Sequence, residues 1–212
     1  MAMSSPAYPF APALERRVRA NLAAHPRAAL ALDGRRAAAV ALALVGDADG
    51  NTCFLLTRRA ARLRRHAGQW ALPGGRIDEG ESAAGAALRE LAEEVGLVPA
   101  GDAVLGVLDD YATRSGFVIT PVVVWGGADA ELLPDPNEVA AVHRVPLTVL
   151  DHPDVPRLRR IPESDRPVIS IAMVGSDVHA PTAAIVYQLR EVALYGRATR
   201  VVDFEQPVFA WR

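Results

Sequence analysis

Three glutamates carry the clearest chemistry in this chain, because Glu90, Glu93 and Glu94 are spaced as i, i+3 and i+4. On an α-helix, which turns by about 100° per residue, side chains at these positions are neighbours. Three like charges side by side destabilise a bare helix, and a divalent cation such as Mg²⁺ removes that repulsion by binding carboxylate oxygens. The spacing therefore predicts a metal site, although a solvated acidic face has the same spacing.

The helix that must present these carboxylates is predicted over residues 82–95. Ser82 can cap its start, and Gly96 suits the position just past its end. One apolar stripe along this helix consists of Ala84, Leu88, Leu91 and Val95. We expect the stripe to face the core and the glutamates to lie roughly opposite it.

The residues around the glutamates decide between a metal site and an acidic face. Gly75 is followed at position 81 by a glutamate, and residues 89–97 are Arg-Glu-Leu-Ala-Glu-Glu-Val-Gly-Leu. This segment resembles the Nudix box at every specified position: Gly, Glu, Arg, Glu, aliphatic, Glu, Glu, Gly and aliphatic. So many fixed positions at fixed spacing favour the metal site.

The resemblance implies the Nudix fold, an α/β fold in which a mixed β-sheet lies between α-helices and the box forms a loop, a helix and a loop. It implies that Glu90 and Glu94 are the main metal ligands. Glu93 joins them when more than one ion binds, and we also consider it a catalytic candidate. Gly75 is expected to offer its backbone carbonyl to the metal or to allow the bend.

The resemblance gives Arg89 an indirect part in catalysis, in which it orients a carboxylate, Glu81 or Glu94, and does not touch the substrate. It also implies that Mg²⁺ or Mn²⁺ is the cofactor and that the reaction is hydrolysis of a diphosphate. Bound metal ions neutralise the diphosphate oxygens, hold a water molecule in line and lower its pKa. The box indicates this reaction class and leaves the substrate open.

The segment before the box says more about the substrate. Residues 55–60 are Leu-Leu-Thr-Arg-Arg-Ala, and the chain continues through Arg64 and Gly68 to Leu-Pro-Gly-Gly at 72–75. This spacing resembles the signature that precedes the box in coenzyme A diphosphatases. One position departs from it, because Leu72 stands where phenylalanine is usual. The exchange keeps an apolar side chain and loses the ring that could stack on adenine.

Arginines in this segment suit a substrate with several phosphates, because a guanidinium binds phosphate oxygens through a two-pronged hydrogen-bonding edge. The matched positions are Arg59 and Arg64, which we predict to bind substrate together with the Gly74–Gly75 backbone. The alternative is that these arginines are solvated charges in an arginine-rich protein. Further along, Glu138 lies in a segment similar to an acidic turn of many Nudix domains. It is a candidate for an additional metal ligand or the general base.

Periodicity and turn residues predict the elements that surround the site. They are helices over 11–24 and 182–193, strands over 37–45, 52–57, 103–108, 117–125, 139–145, 168–174 and 208–211, a tight bend at 73–75 and an exposed loop over 153–167. We divide the chain into an N-terminal extension with a surface helix (1–35), a Nudix hydrolase domain (36–195) and a C-terminal tail packed on that domain (196–212).

The composition of the chain restricts the classes of partner that we expect it to bind. The formal net charge is −2 and all 23 basic residues are arginine, which is unlike the strong positive balance of a general nucleic-acid binder. Cys53 is the only cysteine, so no intramolecular disulfide can form. No uninterrupted apolar run approaches the roughly 20 residues of a membrane span. We expect a cytoplasmic protein with a small-molecule substrate and without nucleic-acid or membrane partners. The family resemblance also allows a homodimer.

Three hypotheses follow for function. The first is hydrolysis of coenzyme A or acyl-coenzyme A at the diphosphate. The second keeps the chemistry and changes the substrate to ADP-ribose, NADH, a dinucleoside polyphosphate or a nucleoside triphosphate. The third is a Nudix domain that senses a ligand without turnover, against which stands the retention of all three box glutamates.

Overall fold

The computed structural model describes residues 7–61 and 68–211. Its α-helices are α1 (Pro12–Ala24), α2 (Ala83–Val95) and α3 (Thr182–Gln188). Its strands are β1 (Arg36–Gly46), β2 (Thr52–Arg59), β3 (Trp70–Ala71), β4 (Gly74–Arg76), β5 (Val104–Val107), β6 (Tyr111–Ala112), β7 (Phe117–Gly127), β8 (Val139–Pro146), β9 (Arg157–Ile161), β10 (Ser164–Met173) and β11 (Ser176–His179).

Strands β1 to β8 form one mixed sheet. Its main path runs β3-β2-β1-β7-β5, while β4 pairs with β1, β6 with β7 and β8 with β2. Strands β1 and β7 run parallel, and the other pairs are antiparallel. Strands β9 to β11 form a separate antiparallel sheet. The prediction of a mixed sheet within an α/β domain is confirmed.

Strand β1 separates two hydrophobic layers because alternate side chains of a strand point to opposite faces. Leu42 and Leu44 belong to the cluster that contains residues of α1 and α3. Ala41 and Ala43 belong to the cluster that contains the apolar residues of α2. Helices therefore cover both faces of the sheet, and small alanine side chains under α2 allow that helix to lie close to the strand.

The ends of α2 are as the sequence predicts. The Ser82 hydroxyl accepts a hydrogen bond from the Gly85 N–H at 3.0 Å, which caps the first turn. Gly96 has φ of 70° and its N–H donates to the carbonyl of Ala92, which ends the helix in the left-handed conformation that glycine favours.

The buried face of α2 is rotated from the predicted stripe. Leu91 and Val95 are buried as expected, but Ala84 and Leu88 are only partly buried. The remaining buried residues of the helix are Ala86, Ala87 and Glu94. The prediction that the three glutamates lie opposite the core is therefore wrong for Glu94, which packs inward beside Val95.

Three predicted elements differ from the structure. Residues 153–167 are not a continuous exposed loop, since β9 and the start of β10 lie within them as an antiparallel pair. The side chains of β9 are mostly exposed, so no apolar alternation marks it in the sequence. Residues 208–211 are not a strand but begin with a 3₁₀ turn, Val208–Ala210. The predicted bend at 73–75 is confined to Pro73, because Gly74 and Gly75 pair with β1.

Near the C-terminus, the predicted helix over 182–193 changes its winding. Helix α3 ends at Gln188 and continues as a wider π-helical segment, Leu189–Leu194. The apolar side chains of this π-helical segment are buried in the cluster that also contains residues of α1. The apolar spacing in the sequence therefore reflects burial and does not require a regular α-helix.

Asp109 joins segments from both ends of the chain. Its carboxylate accepts hydrogen bonds from Arg200 at 2.7 Å and from the Gln188 amide at 2.7 Å, and it contacts His25 Nε2 at 3.0 Å. Burial acts to raise the pKa of Asp109, but donors that include the Ala28 N–H and Arg200 outweigh it and lower that pKa. The N-terminal and C-terminal segments are thus held on the same core, and the domain boundaries at 35 and 195 stay a prediction. Within the described part of the chain, no helix has the length and apolarity needed to cross a membrane.

The alanine face of β1 can be tested with Ala41→Leu. Ala41 is fully buried beneath α2, so added methyl groups would push the helix from the sheet. We expect the free energy of unfolding to fall by about 1–3 kcal/mol, measured by urea denaturation. The control Ala140→Leu lies at an exposed position of β8 and should change it by less than about 0.5 kcal/mol. Equal stability of both variants would contradict the close packing of α2.

Candidate active site

Glu94 is the most deeply buried carboxylate of the box, with a side chain that is 4 % exposed. Its Oε2 accepts a hydrogen bond from the Gly74 N–H at 3.2 Å, and its Oε1 lies 3.6 Å from an Arg59 guanidinium nitrogen. Burial is the main influence and raises the pKa of Glu94 to about 7; Glu90 and Glu138 add to the rise, while Gly74 and Arg59 oppose it. The site therefore gathers acidic groups that repel one another.

Glu90 packs directly on Gly75. A Cβ atom at position 75 would lie 2.2 Å from Glu90 Oε1 and 2.5 Å from its carboxyl carbon. A side chain there is possible only if the carboxylate moves away. Gly75 thus holds open the space that Glu90 occupies, which extends the predicted role of this glycine beyond its carbonyl.

Gly74 is required by the backbone. A Cβ at this position would lie 2.4 Å from the carbonyl oxygen of Ala39 and 2.7 Å from the Cα of Val40 on β1. These atoms cannot rotate aside as a side chain can. The close pairing of β4 with β1 therefore depends on Gly74, and this pairing presents the Gly74 N–H to Glu94.

Arg89 links the carboxylates that line the start of the box. Its Nε and Nη2 donate to Glu81 at 3.1 and 3.2 Å, and its Nη1 donates to Glu90 at 2.8 Å and to Glu93 at 3.0 Å. Arg89 also donates to the Arg76 carbonyl on β4 at 3.0 Å. Of the two carboxylates considered for Arg89, Glu81 is the one it contacts, whereas Glu94 is contacted by Gly74 and Arg59.

The other two acidic candidates, Glu93 and Glu138, are both exposed. Glu93 is 60 % exposed and faces Arg89. Glu138 precedes β8, and its backbone carbonyl accepts a hydrogen bond from the Ala60 N–H at 2.8 Å. Its carboxylate contributes to the raised pKa of Glu94, which places it near that side chain. The structure thus places Glu90 and Glu94 on the more buried side of the box, while Glu93 and Glu138 are exposed.

These residues fit a hard divalent cation. The donors are carboxylate oxygens, and two of these carboxylates, Glu90 and Glu94, are largely buried. A positive ion would relieve the repulsion between them. Among the described residues (7–61 and 68–211), no group of three acidic, histidine or cysteine side chains lies close enough together to hold a metal ion. A bound ion would thus need oxygens from water or substrate phosphate as well, which is common for Mg²⁺.

The structure describes one of the two predicted phosphate-binding arginines, Arg59. Arg59 ends β2, is partly exposed and lies beside Glu94, at the centre of the box. Arg64 lies outside the described residues.

A pocket of about 380 Å³ lies next to the carboxylates, on the face of the sheet opposite α2. Arg59, Gly74 and Gly75 form its edge towards the box. Most of its wall is apolar and consists of Ala38, Val40, Ile119, Val178, Ala180, Pro181, Pro207, Phe209 and Ala210. The pocket therefore offers an apolar space beside an acidic centre.

Trp70 and Leu72 contribute differently to this region. Trp70 lines the pocket, and its ring meets His143 edge-on at 5.1 Å. Leu72, in contrast, is buried within the main hydrophobic cluster. The Leu72 side chain therefore packs in the core and is not among the described residues that line the pocket.

Sequence patterns missed the far wall of the pocket, which comes from the end of β11 and the C-terminal tail. Phe209 is exposed at its mouth and meets His179 edge-on at 5.5 Å. The tail is held by Glu205, which is buried and accepts hydrogen bonds from Arg114, Ser164 and Arg166. The pairing of a buried acid with distant arginines has no local sequence signal.

Comparison with known proteins now identifies the family. A family model described as the NUDIX domain matches residues 34–166. The chain belongs to the Nudix family. Members of this family hydrolyse pyrophosphate bonds and generally use divalent metal ions. The candidate site consists of the carboxylates of the Nudix box and the pocket beside them.

Similar proteins carry the same family description. The uncharacterised Nudix hydrolase NudL of Citrobacter koseri is 44% identical over 115 residues, which are 54% of this chain and 59% of that protein. NudL of Escherichia coli K12 is 43% identical over 100 residues, 47% of this chain and 52% of that protein. The chain spans about half of the length of these curated relatives.

Among solved structures, the Nudix domain of Shewanella oneidensis NrtR in complex with ADP-ribose is similar to part of the chain. The two are 26% identical with a TM-score of 0.43, over 56% of this chain and 78% of that domain.

The contact between Gly75 and Glu90 predicts the effect of Gly75→Ala. The added methyl group takes the place of the Glu90 carboxylate, so we expect diphosphate hydrolysis to fall at least about tenfold while the chain remains folded. Steady-state kinetics and circular dichroism measure the two effects. Full activity in Gly75→Ala would show that the position of Glu90 against Gly75 does not matter for catalysis.

Proposed function

We propose that this Nudix protein hydrolyses the diphosphate bond of coenzyme A or acyl-coenzyme A. The products would be 4′-phosphopantetheine, or its acyl form, and adenosine 3′,5′-bisphosphate. One observation carries the proposal: Arg59, a residue of the coenzyme A signature, lies beside Glu94 of the box and lines the adjacent pocket. This position of Arg59 supports the interpretation of the signature and the box as parts of one site. In this proposal residues 36–195 form the hydrolase domain.

The proposed metal ligands are Glu90 and Glu94, with Glu93 for a further ion and the Gly75 carbonyl as an additional oxygen. We propose Mg²⁺ or Mn²⁺, since carboxylate and carbonyl oxygens suit both ions. Bound there, the ion would neutralise diphosphate oxygens and activate water.

The chain itself supplies position and charge. Arg89 holds Glu90 in place through a charged hydrogen bond at 2.8 Å and is a positioning residue. Arg59 already lies next to a carboxylate at 3.6 Å, so a phosphate oxygen entering there meets a guanidinium without a large movement of the arginine. Glu138, near Glu94, is the proposed general base or an additional ligand.

A second substrate class remains within the same chemistry: ADP-ribose, NADH, a dinucleoside polyphosphate or a nucleoside triphosphate. Its support in the sequence is Leu72, the departure from the coenzyme A signature. Burial of Leu72 weakens that support, because a side chain in the core does not touch substrate. A ligand sensor without turnover is less favoured, since Glu90, Glu93 and Glu94 are all present.

A substrate panel tests the proposal. The purified chain is incubated with Mg²⁺ or Mn²⁺ and coenzyme A, acetyl-coenzyme A, ADP-ribose, NADH or 8-oxo-dGTP, and products are identified by mass spectrometry. We expect coenzyme A compounds to have the highest kcat/KM, with cleavage at the diphosphate. Glu94→Gln should lower the rate at least about a hundredfold, because it removes a metal ligand. The matched control Glu163→Gln changes an exposed turn residue and should be fully active.

The outcomes separate the hypotheses. Preference for ADP-ribose or a nucleotide would retain the metal chemistry and overturn the coenzyme A assignment. Failure of the intact chain to cut any diphosphate with either ion would overturn hydrolysis itself and favour the sensor.

Metal removal makes a separate prediction. Because the proposed reaction relies on a bound divalent ion to activate water, EDTA should abolish hydrolysis, and excess Mg²⁺ or Mn²⁺ should restore it. The same assay monitors both steps. Undiminished activity in EDTA would contradict a metal-dependent mechanism.

A further inference from the structure

Two arginines, Arg36 and Arg76, lie over the ring of the pocket-lining residue Phe117. The Arg36 guanidinium lies over the Phe117 ring at 4.3 Å from its centre, and the Arg76 guanidinium lies 5.9 Å from the same centre. Phe117 and Arg76 both line the pocket. The ring thus gathers two cations at one place, where each gains from cation–π attraction.

Strand pairing places both arginines on the pocket face of the sheet. Arg76 of β4 is directly opposite Ala38 of β1, so the two side chains share a face. Arg36 precedes Ala38 by two residues on the same strand, which gives it that face as well. Ala38 lines the pocket. The regular geometry of two strands therefore places the Cβ atoms of both arginines on the pocket face.

The charge balance around the Phe117 ring is positive. Asp177 is the one carboxylate among the pocket-lining residues that the structure describes, and it pairs with Arg157 at 3.0 Å. In the described ranges, neither Arg36 nor Arg76 has a carboxylate within ion-pair distance, whereas Arg59 is next to Glu94. The hydroxyl-bearing residues Thr113 and Ser115 also line the pocket, and the Thr113 hydroxyl accepts a hydrogen bond from the Phe117 N–H at 3.0 Å. Guanidinium groups with hydroxyls nearby are suited to a phosphate group.

We propose that Arg36 and Arg76 form a second phosphate site, which binds a phosphate carried by the nucleoside arm of the substrate. This inference rests on the proposed function, since the diphosphate is taken to lie at Glu90, Glu94 and Arg59. The uncharged base would contact the apolar wall, and the second phosphate, such as the 3′-phosphate of coenzyme A, would meet Arg36 and Arg76. Arg59 then serves the scissile diphosphate, and the selection for a phosphorylated nucleoside belongs to these two residues.

The kinetic test compares coenzyme A with dephospho-coenzyme A. Wild-type protein should prefer coenzyme A in kcat/KM by about tenfold to a hundredfold, the range expected for hydrogen bonds between charged groups. The double variant Arg36→Gln/Arg76→Gln should lose most of this preference, through a lower kcat/KM for coenzyme A alone. Arg159→Gln, a matched loss of charge at an exposed position of β9, should keep the preference.

A binding measurement makes the test independent of turnover. Titration calorimetry with the full chain and Mg²⁺ compares adenosine 3′,5′-bisphosphate with AMP. We expect the bisphosphate to bind about tenfold more tightly, and we expect the double variant to bind the two alike. Circular dichroism establishes that the double variant is folded.

The two measurements separate the site from the reaction. Cleavage of coenzyme A with an unchanged preference in the double variant would overturn the second phosphate site and leave the proposed function standing. A binding preference that depends on Arg36 and Arg76, in a protein that cuts no coenzyme A, would support the site and count against the proposed function. Equal binding of both nucleotides by wild-type protein would overturn the site.

Discussion

The candidate site depends on one constraint: the carboxylate of Glu94 is buried against Gly74, one of the two glycines that begin β4. Burial of a charged acid is costly unless donors or a cation compensate it. Gly74 supplies an N–H, Arg59 supplies a nearby positive charge, and Gly75 leaves the space in which Glu90 lies. This arrangement requires α2 and β4 to approach β1 closely.

The rest of the fold supports that approach. Alanines on one face of β1 let α2 lie close to the sheet, and the same strand turns larger side chains to the opposite layer. The glycines of β4 then separate the acidic box from the apolar pocket by little more than a backbone. A substrate with a charged centre and an uncharged arm suits this juxtaposition, because each part meets an environment of its own polarity.

The sequence alone predicts those structural features that depend on residues close together in the chain. The cap at Ser82, the end of α2 at Gly96, the strands β1 and β2 and the order of the box residues all follow from residue type and spacing. The burial of Glu94 was not foreseen, because an ideal helix indicates which residues share a face and not how far that face is rotated towards the sheet. Glu94 is drawn inward by Gly74, twenty residues earlier in the chain.

Non-local pairing accounts for the other differences. Strand β9 carries exposed, mostly charged side chains and is recognisable only by its partner β10. The tail residue Phe209 reaches the pocket because Glu205 is anchored by arginines 39 and 91 residues away. Arg36 and Arg76 meet at Phe117 only when β1, β4 and β7 are side by side. No short segment of the sequence contains both partners of these contacts.

Binding of Mn²⁺ to the purified chain tests the central claim most directly, with free Mn²⁺ measured by electron paramagnetic resonance and no substrate added. If Glu90 and Glu94 hold a cation, wild-type protein will deplete the free Mn²⁺ signal, Glu94→Gln will deplete it far less, and Glu163→Gln will behave as wild type. Equal depletion by wild type and Glu94→Gln would place the metal elsewhere and contradict a cation site at Glu90 and Glu94.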